Sequence, residues 1–423
     1  MPNAFSKEER VAFETLLEGF QDALVLSKAV ATFNTDSQTM ERARDTIWRP
    51  QPYIAQSFDS TVGTSISSNY DDMVQLSVPA TLGFSKTSAW KLNAKELRDA
   101  LQEGRLGDAA KQKLASDINV AVMNVAATQG TLVVATAGAA GDYDDVALCD
   151  TIMNEQGIPN YDRYLALSSR DYNGLAGNLA ASTRSFGNAK SDKAYERSYV
   201  GMVAGFETYK LDYAQRITAK AGSATIATNG AQVRFVPAAT TNSVAGKLNV
   251  DNRFQQVTVS STTGVVAGDA FTVAGIEAVH HITKSSTGQL KTFRVISVDS
   301  GTTMTISPPM IGANSSPTDA ESAYKNINVA STSATAAIVF LNQNATSINP
   351  FWQKDAIEIL PGRYAVPGDA GVAVMRAATD QGIELVMQKF YDIDTMTTKY
   401  RLDTLFGVVN KQPQMSGVLL FNQ

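Results

Sequence analysis

The only two histidines, His280 and His281, are the first residues to consider for catalysis or metal binding. Catalytic triads and zinc sites usually need at least one histidine beside other suitable groups. These two are adjacent in a β-rich segment, and neighbouring side chains of a strand face opposite sides. They are therefore poorly placed to share one metal ion, and the sequence favours structural or surface roles for both.

The segment TLVVATAGAAGDYDD has the strand, turn and helix order of a nucleotide-binding turn. Gly138 and Gly141 supply part of the required spacing, but the third glycine and a following Gly-Lys-Ser/Thr are absent. Asp142 at the start of the helix would oppose a phosphate and is better explained as an N-cap. Nucleotide binding is the weaker interpretation, although a nucleotide-binding α/β enzyme stays as an alternative function.

The acidic cluster Asp142, Asp144 and Asp145 suggests calcium only superficially, because the later glycine and glutamate of an EF-hand are not in register. Cys149 lies in the apolar stretch VALCDTIM, which is typical of a buried, inert thiol. As the only cysteine, it cannot form a disulfide within the chain. We therefore expect no catalytic residue, no metal and no cofactor.

Length and charge narrow the class of protein. The 423 residues allow about two or three domains. A formal charge of −5, from 36 basic and 41 acidic residues, argues against a protein that neutralises many phosphates. No apolar run approaches the ~20 residues of a membrane span, and MPNAFSKEER has no secretion signal pattern. We expect a chain made in the cytosol and not associated with a membrane.

The N-terminal segment, residues 1–30, predicts an amphipathic helix that begins with capping-box spacing at Ser6 and Glu9. Its apolar stripe has helical spacing and consists of Phe13, Leu16, Leu17, Phe20 and Leu24. The helix either packs on its own domain or docks on a neighbouring subunit. Residues 31–85 are polar and turn-rich, with a strand-like run at Val74–Val78. Such an isolated two-stranded excursion is marginal in water, so we expect it to lie on a partner.

A second amphipathic helix is predicted from Gly107 to Gln129, roughly 35 Å long, with an apolar stripe at Leu114, Ile118, Val122 and Val125. A short buried strand at Thr131–Thr136 and a helix at Asp142–Asn154 follow. Near the C-terminus, the pattern predicts a helix at Asp369–Ala378 and paired strands at Gln381–Tyr391 and Thr397–Leu405.

Between residues 221 and 335 Thr, Ser, Val and Gly dominate and helical stripes nearly vanish. Regular short strands separated by Gly-containing turns indicate a small inserted barrel or sandwich. The candidate strands are Gln232–Val236, Gln256–Ser260, Ala270–Val273, Leu290–Val298 and Thr303–Ser307. A carbohydrate-binding tail or adhesion protein is a further alternative that this domain leaves open.

Several separated segments resemble, in the same order, the coat proteins of short-tailed lambdoid phages of the P-twenty-two type, which infect Salmonella and Shigella. These segments are DTIWRP from Asp45, VDNRF from Val250, NPFW from Asn349, DAI from Asp355 and FGVVN from Phe406. The resemblance implies an α+β fold of the Hong Kong 97 capsid type with an inserted all-β, barrel-like domain.

The resemblance also implies an assignment of segments to the parts of that fold. They are an N-arm at 1–30, an E-loop at 31–85, a peripheral domain with a spine helix at 86–135 completed by strands at about 384–423, an axial domain and hinge at 136–220 and 336–383, and the inserted I-domain at 221–335. A domain of this size with its own core is expected to fold alone.

The function that the resemblance implies is that of a major capsid protein, not an enzyme. Its copies would form hexamers and pentamers that close into an icosahedral procapsid, with scaffolding and portal proteins as partners. The shell, assembled in the host cytoplasm, would expand when double-stranded DNA is packaged without sequence-specific binding. The net acidic charge fits a wall that does not grip DNA.

Six residues are candidates for contacts between proteins. Glu14 matches an acidic N-arm position implicated in scaffold contact in the best-known relative, and Glu18 is placed with it. The candidates for contact between subunits are Trp48, Arg49, Lys247 and Arg253. An acidic contact loop of that relative corresponds here to TTNSVAGK from Thr240 to Lys247, which has no carboxylates, so ionic contacts of that loop are not expected to carry over.

Overall fold

The computed structural model of the chain describes residues 7–33, 46–53, 57, 61–63, 65–67, 70, 72–93, 100–181, 189–220, 226–230, 234–244, 246–312, 316–366 and 372–423. The described helices are α1 (Lys7–Ala23), α2 (Ala100–Gln129), α3 (Tyr143–Glu155), α4 (Ser169–Ala181), α5 (Ala189–Arg197) and α6 (Asp319–Tyr324). None of the helices in these ranges combines the length and apolar content needed to cross a bilayer.

The described strands follow in chain order. They are β1 (Ala31–Thr32), β2 (Thr46–Pro50), β3 (Ser77–Thr81), β4 (Phe84–Asn93), β5 (Leu132–Ala135), β6 (Arg163–Ser168), β7 (Met202–Val203), β8 (Phe206–Leu211), β9 (Arg216–Ile217), β10 (Ile226–Ala227), β11 (Thr240–Ser243), β12 (Gly246–Asn249), β13 (Gln255–Thr258), β14 (Ala270–Val279), β15 (Ser286–Val298), β16 (Thr303–Ser307), β17 (Ala337–Phe340), β18 (Thr346–Ser347), β19 (Asn349–Gln353), β20 (Ile357–Pro361), β21 (Ala373–Ala378), β22 (Glu384–Asp392), β23 (Thr397–Asn410) and β24 (Ser416–Leu420).

The chain divides into two compact units. The first comprises Met1–Ile47, Pro79–Val125 and Ile357–Val409, and the second comprises Trp48–Val78, Ala126–Ala356 and Asn410–Gln423. Each unit is built from segments that are distant in sequence.

In the first unit, α1 buries the apolar stripe that the sequence predicts. Phe13, Leu16, Phe20 and the following Leu24 are all buried, whereas Leu17 is half-buried. Asn119 of α2 fixes the end of α1, because its amide donates to the Ala23 carbonyl at 3.0 Å and its Oδ1 accepts from the Leu26 backbone N–H at 3.2 Å. The predicted cap residue Ser6 lies outside the described residues.

The second predicted helix is longer than expected. It begins at Ala100, seven residues before the predicted start at Gly107, and runs for 30 residues to Gln129. Gly104 and Gly107 led to the shorter prediction, but a helix-interior glycine costs only about 1 kcal/mol. The buried residues Leu114, Ile118 and Val122 follow them. Packing of this stripe therefore outweighs the cost of the two glycines.

The first unit also contains a sheet with strand order β1-β20-β23-β22-β21, in which β4 also pairs with β23. The predicted pairing of two C-terminal strands is confirmed, since β22 and β23 run antiparallel from Leu385 opposite Thr404 to Asp392 opposite Thr397. The helix predicted at Asp369–Ala378 is wrong for its described part, because Ala373–Ala378 is strand β21. The Ala-rich sequence favours a helix, but pairing with β22 overrides that weak preference.

In the second unit, a mixed sheet has the order β5-β24-β19-β6-β8-β7. The predicted strand and helix after the long helix are confirmed as β5 and α3. Side chains from this sheet form a core with α3 and α4 that includes Cys149, Leu165, Phe206, Phe351 and Leu419.

The polar segment 31–85 contributes β2 and β3, which pair as a two-stranded sheet. Of the predicted run Val74–Val78, only its last two residues belong to a strand.

The β-rich insertion forms a six-stranded sheet with the order β10-β17-β14-β15-β16-β13. An antiparallel bridge between Thr228 and Val259 joins its two edges, so the sheet closes into a barrel. Inside lies a separate apolar core that includes Phe271, Phe293 and Ile306. Four of the predicted strands are confirmed. The candidate at Gln232–Val236 is not, because its described residues 234–236 form no strand.

Candidate functional site

The two histidines make hydrogen bonds within the chain. They were expected to lie on a strand, but the structure places them just after one. β14 ends at Val279, and His280 begins a turn in which its Nδ1 accepts from the backbone N–H of Ile282 at 3.3 Å and of Thr283 at 3.2 Å. The ring of His281 lies 3.3 Å from the Gln412 amide, and burial lowers its pKa to about 3. No group of three or more His, Cys, Asp or Glu residues within the described ranges is placed to hold a metal ion.

The turn that resembles a nucleotide site is packed against its own chain. Asp142 stands at the N-cap position of α3, but its side chain makes no capping hydrogen bond. Its Oδ1 instead accepts from the Asn178 amide of α4 at 2.9 Å. A Cβ added at Gly174 would collide with the Ala140 carbonyl oxygen. The N-cap prediction is thus right in position and wrong in its bond, and α4 lies directly against the turn.

Cys149 is fully buried in the core of α3 and the mixed sheet. Burial raises the pKa of its thiol, and Asp145 and Asp150 add to the rise. Because the thiolate is the reactive form, this environment makes the residue inert. The prediction of an unreactive thiol agrees with this geometry.

The acidic candidates on α1 point away from the core. Glu14 and Glu18 are both exposed and lie one helical turn apart, opposite the buried stripe. Lys247 is exposed on the β11–β12 hairpin, where it pairs with Asn242. This hairpin also exposes Leu248. These positions can reach another protein without rearrangement of the chain.

The other candidates lie deeper. Trp48 and Arg49 are half-buried on β2. Arg253 is only 9% exposed, and its guanidinium donates to Asp251 Oδ2 at 2.6 Å and to the Asn410 carbonyl at 3.0 Å. The two glutamates and Lys247 are therefore exposed, whereas the other three candidates are half-buried or held by their own chain. Contact with scaffold stays a prediction for the two glutamates, and contact with another subunit stays a prediction for the other four residues.

A cluster of buried cations on β15 was not predicted. Arg294 donates to the carbonyl groups of Ala127 at 3.1 Å and Gly130 at 3.4 Å, near the end of α2. Lys291 donates to the side-chain amide oxygens of Gln156 at 3.2 Å and Gln414 at 2.9 Å. Burial lowers the pKa of Lys291 to about 7 and that of Arg294 to about 10. These bonds attach the barrel to the helical segments of the same unit.

The local sequence of β15 has no pattern that predicts its buried cations. The prediction treated residues 290–298 as an ordinary strand, in which a lysine or arginine is expected to face solvent. Two acceptors of Arg294, the carbonyl groups of Ala127 and Gly130, lie 167 and 164 residues earlier in the chain. Local patterning cannot reveal such partners.

A family model described as P22 coat protein - gene protein 5 matches residues 1–422. Similar solved structures include one from Mycobacterium phage Che8, with 9% identity, coverage of 94% of this chain and 91% of that chain, and a TM-score of 0.43. The capsid of the Cyanophage P-SCSP1u has 11% identity, coverage of 93% and 85%, and a TM-score of 0.42. The CUS-3 coat protein I-domain has 34% identity, coverage of 29% of this chain and 98% of that domain, and a TM-score of 0.23.

Because the family match spans nearly the whole sequence, the chain belongs to the P22 coat protein family, whose members are structural proteins of the phage capsid and not enzymes.

Proposed function

We propose that this capsid protein assembles as hexamers and pentamers into an icosahedral procapsid in the host cytoplasm. A scaffolding protein directs assembly, a portal protein occupies one vertex, and the shell expands as double-stranded DNA is packaged. The observation that carries the proposal is the family match over residues 1–422. Self-association into the virion shell follows from the family, and the scaffold, portal and expansion steps are proposed here.

The parts of the chain support this division of labour. We assign residues 1–30 to the N-arm, 31–85 to the E-loop and 86–135 with about 384–423 to the peripheral domain. The axial domain and hinge take 136–220 and 336–383, and the I-domain takes 221–335. The 30-residue α2 suits a spine helix, and the closed barrel with its own core suits an inserted module.

The charge supports a shell wall more than a DNA clamp. Acidic residues outnumber basic ones by 41 to 36, so packaged DNA meets a surface that is not strongly attractive overall. DNA is therefore a cargo held without sequence-specific binding.

The six candidate residues are proposed to contact either scaffold or a neighbouring subunit. Glu14 and Glu18 offer an exposed acidic pair to a basic scaffold segment, and Lys247 offers a cation on an exposed hairpin to a neighbouring subunit. Trp48 and Arg49 supply a half-buried edge that a neighbour would cover. Arg253, held by Asp251 and Asn410, would support a contact by fixing the chain before β13.

The test is to make the chain in bacteria with its cognate scaffolding protein and to analyse the product by sedimentation and negative-stain microscopy. Closed shells of uniform size that contain scaffold are the expected result. Only small soluble species, with scaffold present and folded, would contradict the proposal. The chain alone serves as the control, and we expect it to give fewer closed and more irregular particles.

A further inference from the structure

Two lysines stand directly opposite each other on neighbouring strands of the first unit. Lys91 of β4 pairs with Lys399 of β23, and Phe390 of β22 pairs with Lys399 on its other side. Residues directly opposite each other share one face of a sheet, and like charges in that position destabilise it. A local cost of this kind needs a compensating partner.

These side chains line an open depression of about 580 Å³, which we name the basic groove. Its lining includes Lys91, Val372, Gln388, Phe390, Lys399 and Arg401. The side chains of Lys399 and Arg401 are 53% and 54% exposed, and Phe390 is 45% exposed. The groove thus combines cations at its walls with an accessible apolar floor.

The chain itself compensates only part of this charge. Lys399 Nζ lies 3.0 Å from Asp392 Oδ2, and Arg401 Nε lies 2.8 Å from Asp403 Oδ1. Asp403 is 2% exposed and also accepts from Thr87, so it cannot turn toward other cations. For Lys91, the described residues show no carboxylate in contact. The groove retains positive charge on an exposed face.

The opposite face of the same sheet gives a useful comparison. Lys389, opposite Tyr400, points to the side covered by α1, where Glu9 binds both its ammonium group and the Tyr400 hydroxyl. On that side an acidic residue of the chain lies over the lysine. On the groove side Asp392 and Asp403 pair with Lys399 and Arg401, and Lys91 is the cation for which the described residues supply no such carboxylate.

We infer that the basic groove binds a carboxylate-bearing segment of a second copy of this chain. Two opposed lysines beside Arg401 attract acidic side chains, while Phe390 and Val372 cover apolar atoms of the same segment. The partner is another copy because each copy has five more acidic than basic residues, and copies of a coat protein surround one another in the shell. The inference rests on the proposed assembly.

Carbodiimide cross-linking tests the contact directly, since it joins an amine to a carboxylate only when the two are paired. Shells are assembled with scaffold from a mixture of ¹⁴N- and ¹⁵N-labelled full-length chains, and cross-linked peptides are identified by mass spectrometry. We expect Lys91 and Lys399 to form mixed-isotope links to Asp or Glu of another copy in shells and none in unassembled chains. Shells in which these lysines link only within one copy, or to scaffold, would overturn the inference while leaving assembly intact. Failure of the unmodified chain to form shells would instead count against the proposed function.

A charge-reversal variant separates docking from folding. Lys91→Glu places an acid opposite Lys399, so the isolated chain should melt at the same or a higher temperature. Assembly should nevertheless slow by roughly tenfold, because the new acid repels the incoming carboxylate. Lys193→Glu, an exposed change of the same charge on α5, is the matched control and should leave assembly within about twofold. Equal assembly rates for Lys91→Glu and the unmodified chain would overturn the inference.

Discussion

The guanidinium of Arg294 donates to the carbonyl oxygen of Ala127 at 3.1 Å, which joins a barrel strand to the last turns of the 30-residue helix. The last carbonyl groups of a helix have no partner within it, and a cation there also complements the negative end of the helix dipole. The same side chain donates to Gly130 and Gly268. One buried residue of the insertion thus completes a helix that lies far away in sequence.

Replacing this arginine should weaken folding. Arg294→Met keeps an apolar stem but leaves buried carbonyl groups without donors, so we expect a loss of about 3 kcal/mol in the free energy of unfolding. Urea unfolding of the unassembled chain at fixed pH measures it. Arg170→Met, an exposed position on α4, should change stability by no more than about 0.5 kcal/mol. Similar values for the two variants would show that the capping bonds contribute little.

The neighbouring Lys291 should make stability depend on pH. Its amine is fully buried, donates to the amide oxygens of Gln156 and Gln414, and has a pKa lowered from 10.5 to about 7 by burial. His281 lies near it but has a pKa lowered to about 3, so it carries no charge between pH 6 and pH 10 and does not change this shift. The folded state therefore disfavours the protonated form.

The direction in which stability changes with pH follows from the number of protons that the folded and unfolded chains bind. Between pH 7 and pH 10.5 the unfolded chain holds a proton that the folded chain has released, so stability rises with pH across this window. Lys291→Met should remove that rise, so its stability relative to the unmodified chain should be highest at pH 6 and should fall by roughly 3 to 5 kcal/mol towards pH 10. Urea unfolding between pH 6 and pH 10 measures both quantities. With Lys193→Met as the exposed control, parallel curves for all three chains would contradict the assignment.

Elements with a clear hydrophobic periodicity could be predicted from the sequence. Elements whose conformation depends on pairing or packing with distant residues could not. The stripe from Phe13 to Leu24 is a local signal, and its residues are buried except for Leu17, which is half-buried. The predicted strand Gln256–Ser260 likewise buries its two valines. Strand β21 was mistaken for a helix because its pairing with β22 cannot be read from AVMRAA. The start of α2 was missed because tertiary packing tolerates glycines that an isolated helix would not.

For the candidate contact residues, too, local patterns predicted some features, and distant partners determined the others. The exposure of Glu14 and Glu18 follows from the position of the apolar stripe, so helical geometry alone predicts it. Arg253 was chosen from a motif, and the motif did not reveal that Asp251 and Asn410 already hold its guanidinium. The opposed lysines of the basic groove depend on the register of β4 and β23, which sequence patterning does not fix.

The barrel should fold alone, provided that its last strand is included. β17 pairs with β14 through Phe340 opposite Phe271 and with β10 through Ile338 opposite Ile226, and it lies after residue 335. We expect a fragment of residues 221–344 to unfold cooperatively by circular dichroism. A fragment of residues 221–335 should be open at two strand edges, less stable and prone to aggregate.

A point variant of the longer fragment tests the same strand. Ile338 is 4% exposed and its neighbour Val339 is 54% exposed. Ile338→Ala should cost about 3 kcal/mol through lost burial and a cavity, whereas Val339→Ala should cost below about 1 kcal/mol. Equal stability of the 221–335 and 221–344 fragments would show that β17 is not part of the folding unit.

The acidic face of α1 should control scaffold content. Glu14→Lys and Glu18→Lys replace two exposed carboxylates opposite the buried stripe, so the helix should keep its packing and the thermal unfolding of the chain should not change. If a basic scaffold segment binds this face, the double variant should bind scaffold roughly tenfold more weakly through like-charge repulsion. The scaffold-to-coat ratio of sedimented shells, read from stained gels, measures the effect.

Ionic strength provides the decisive control for that variant. Repulsion between exposed charges is screened over about 8 Å at physiological salt and over shorter distances above it. The difference in scaffold content between the double variant and the unmodified chain should therefore shrink as salt is raised. Glu196→Lys, an exposed reversal on α5, should leave scaffold content unchanged at every salt concentration. If that control loses as much scaffold as the α1 variant, the effect reflects net charge, and α1 is not the scaffold-binding face.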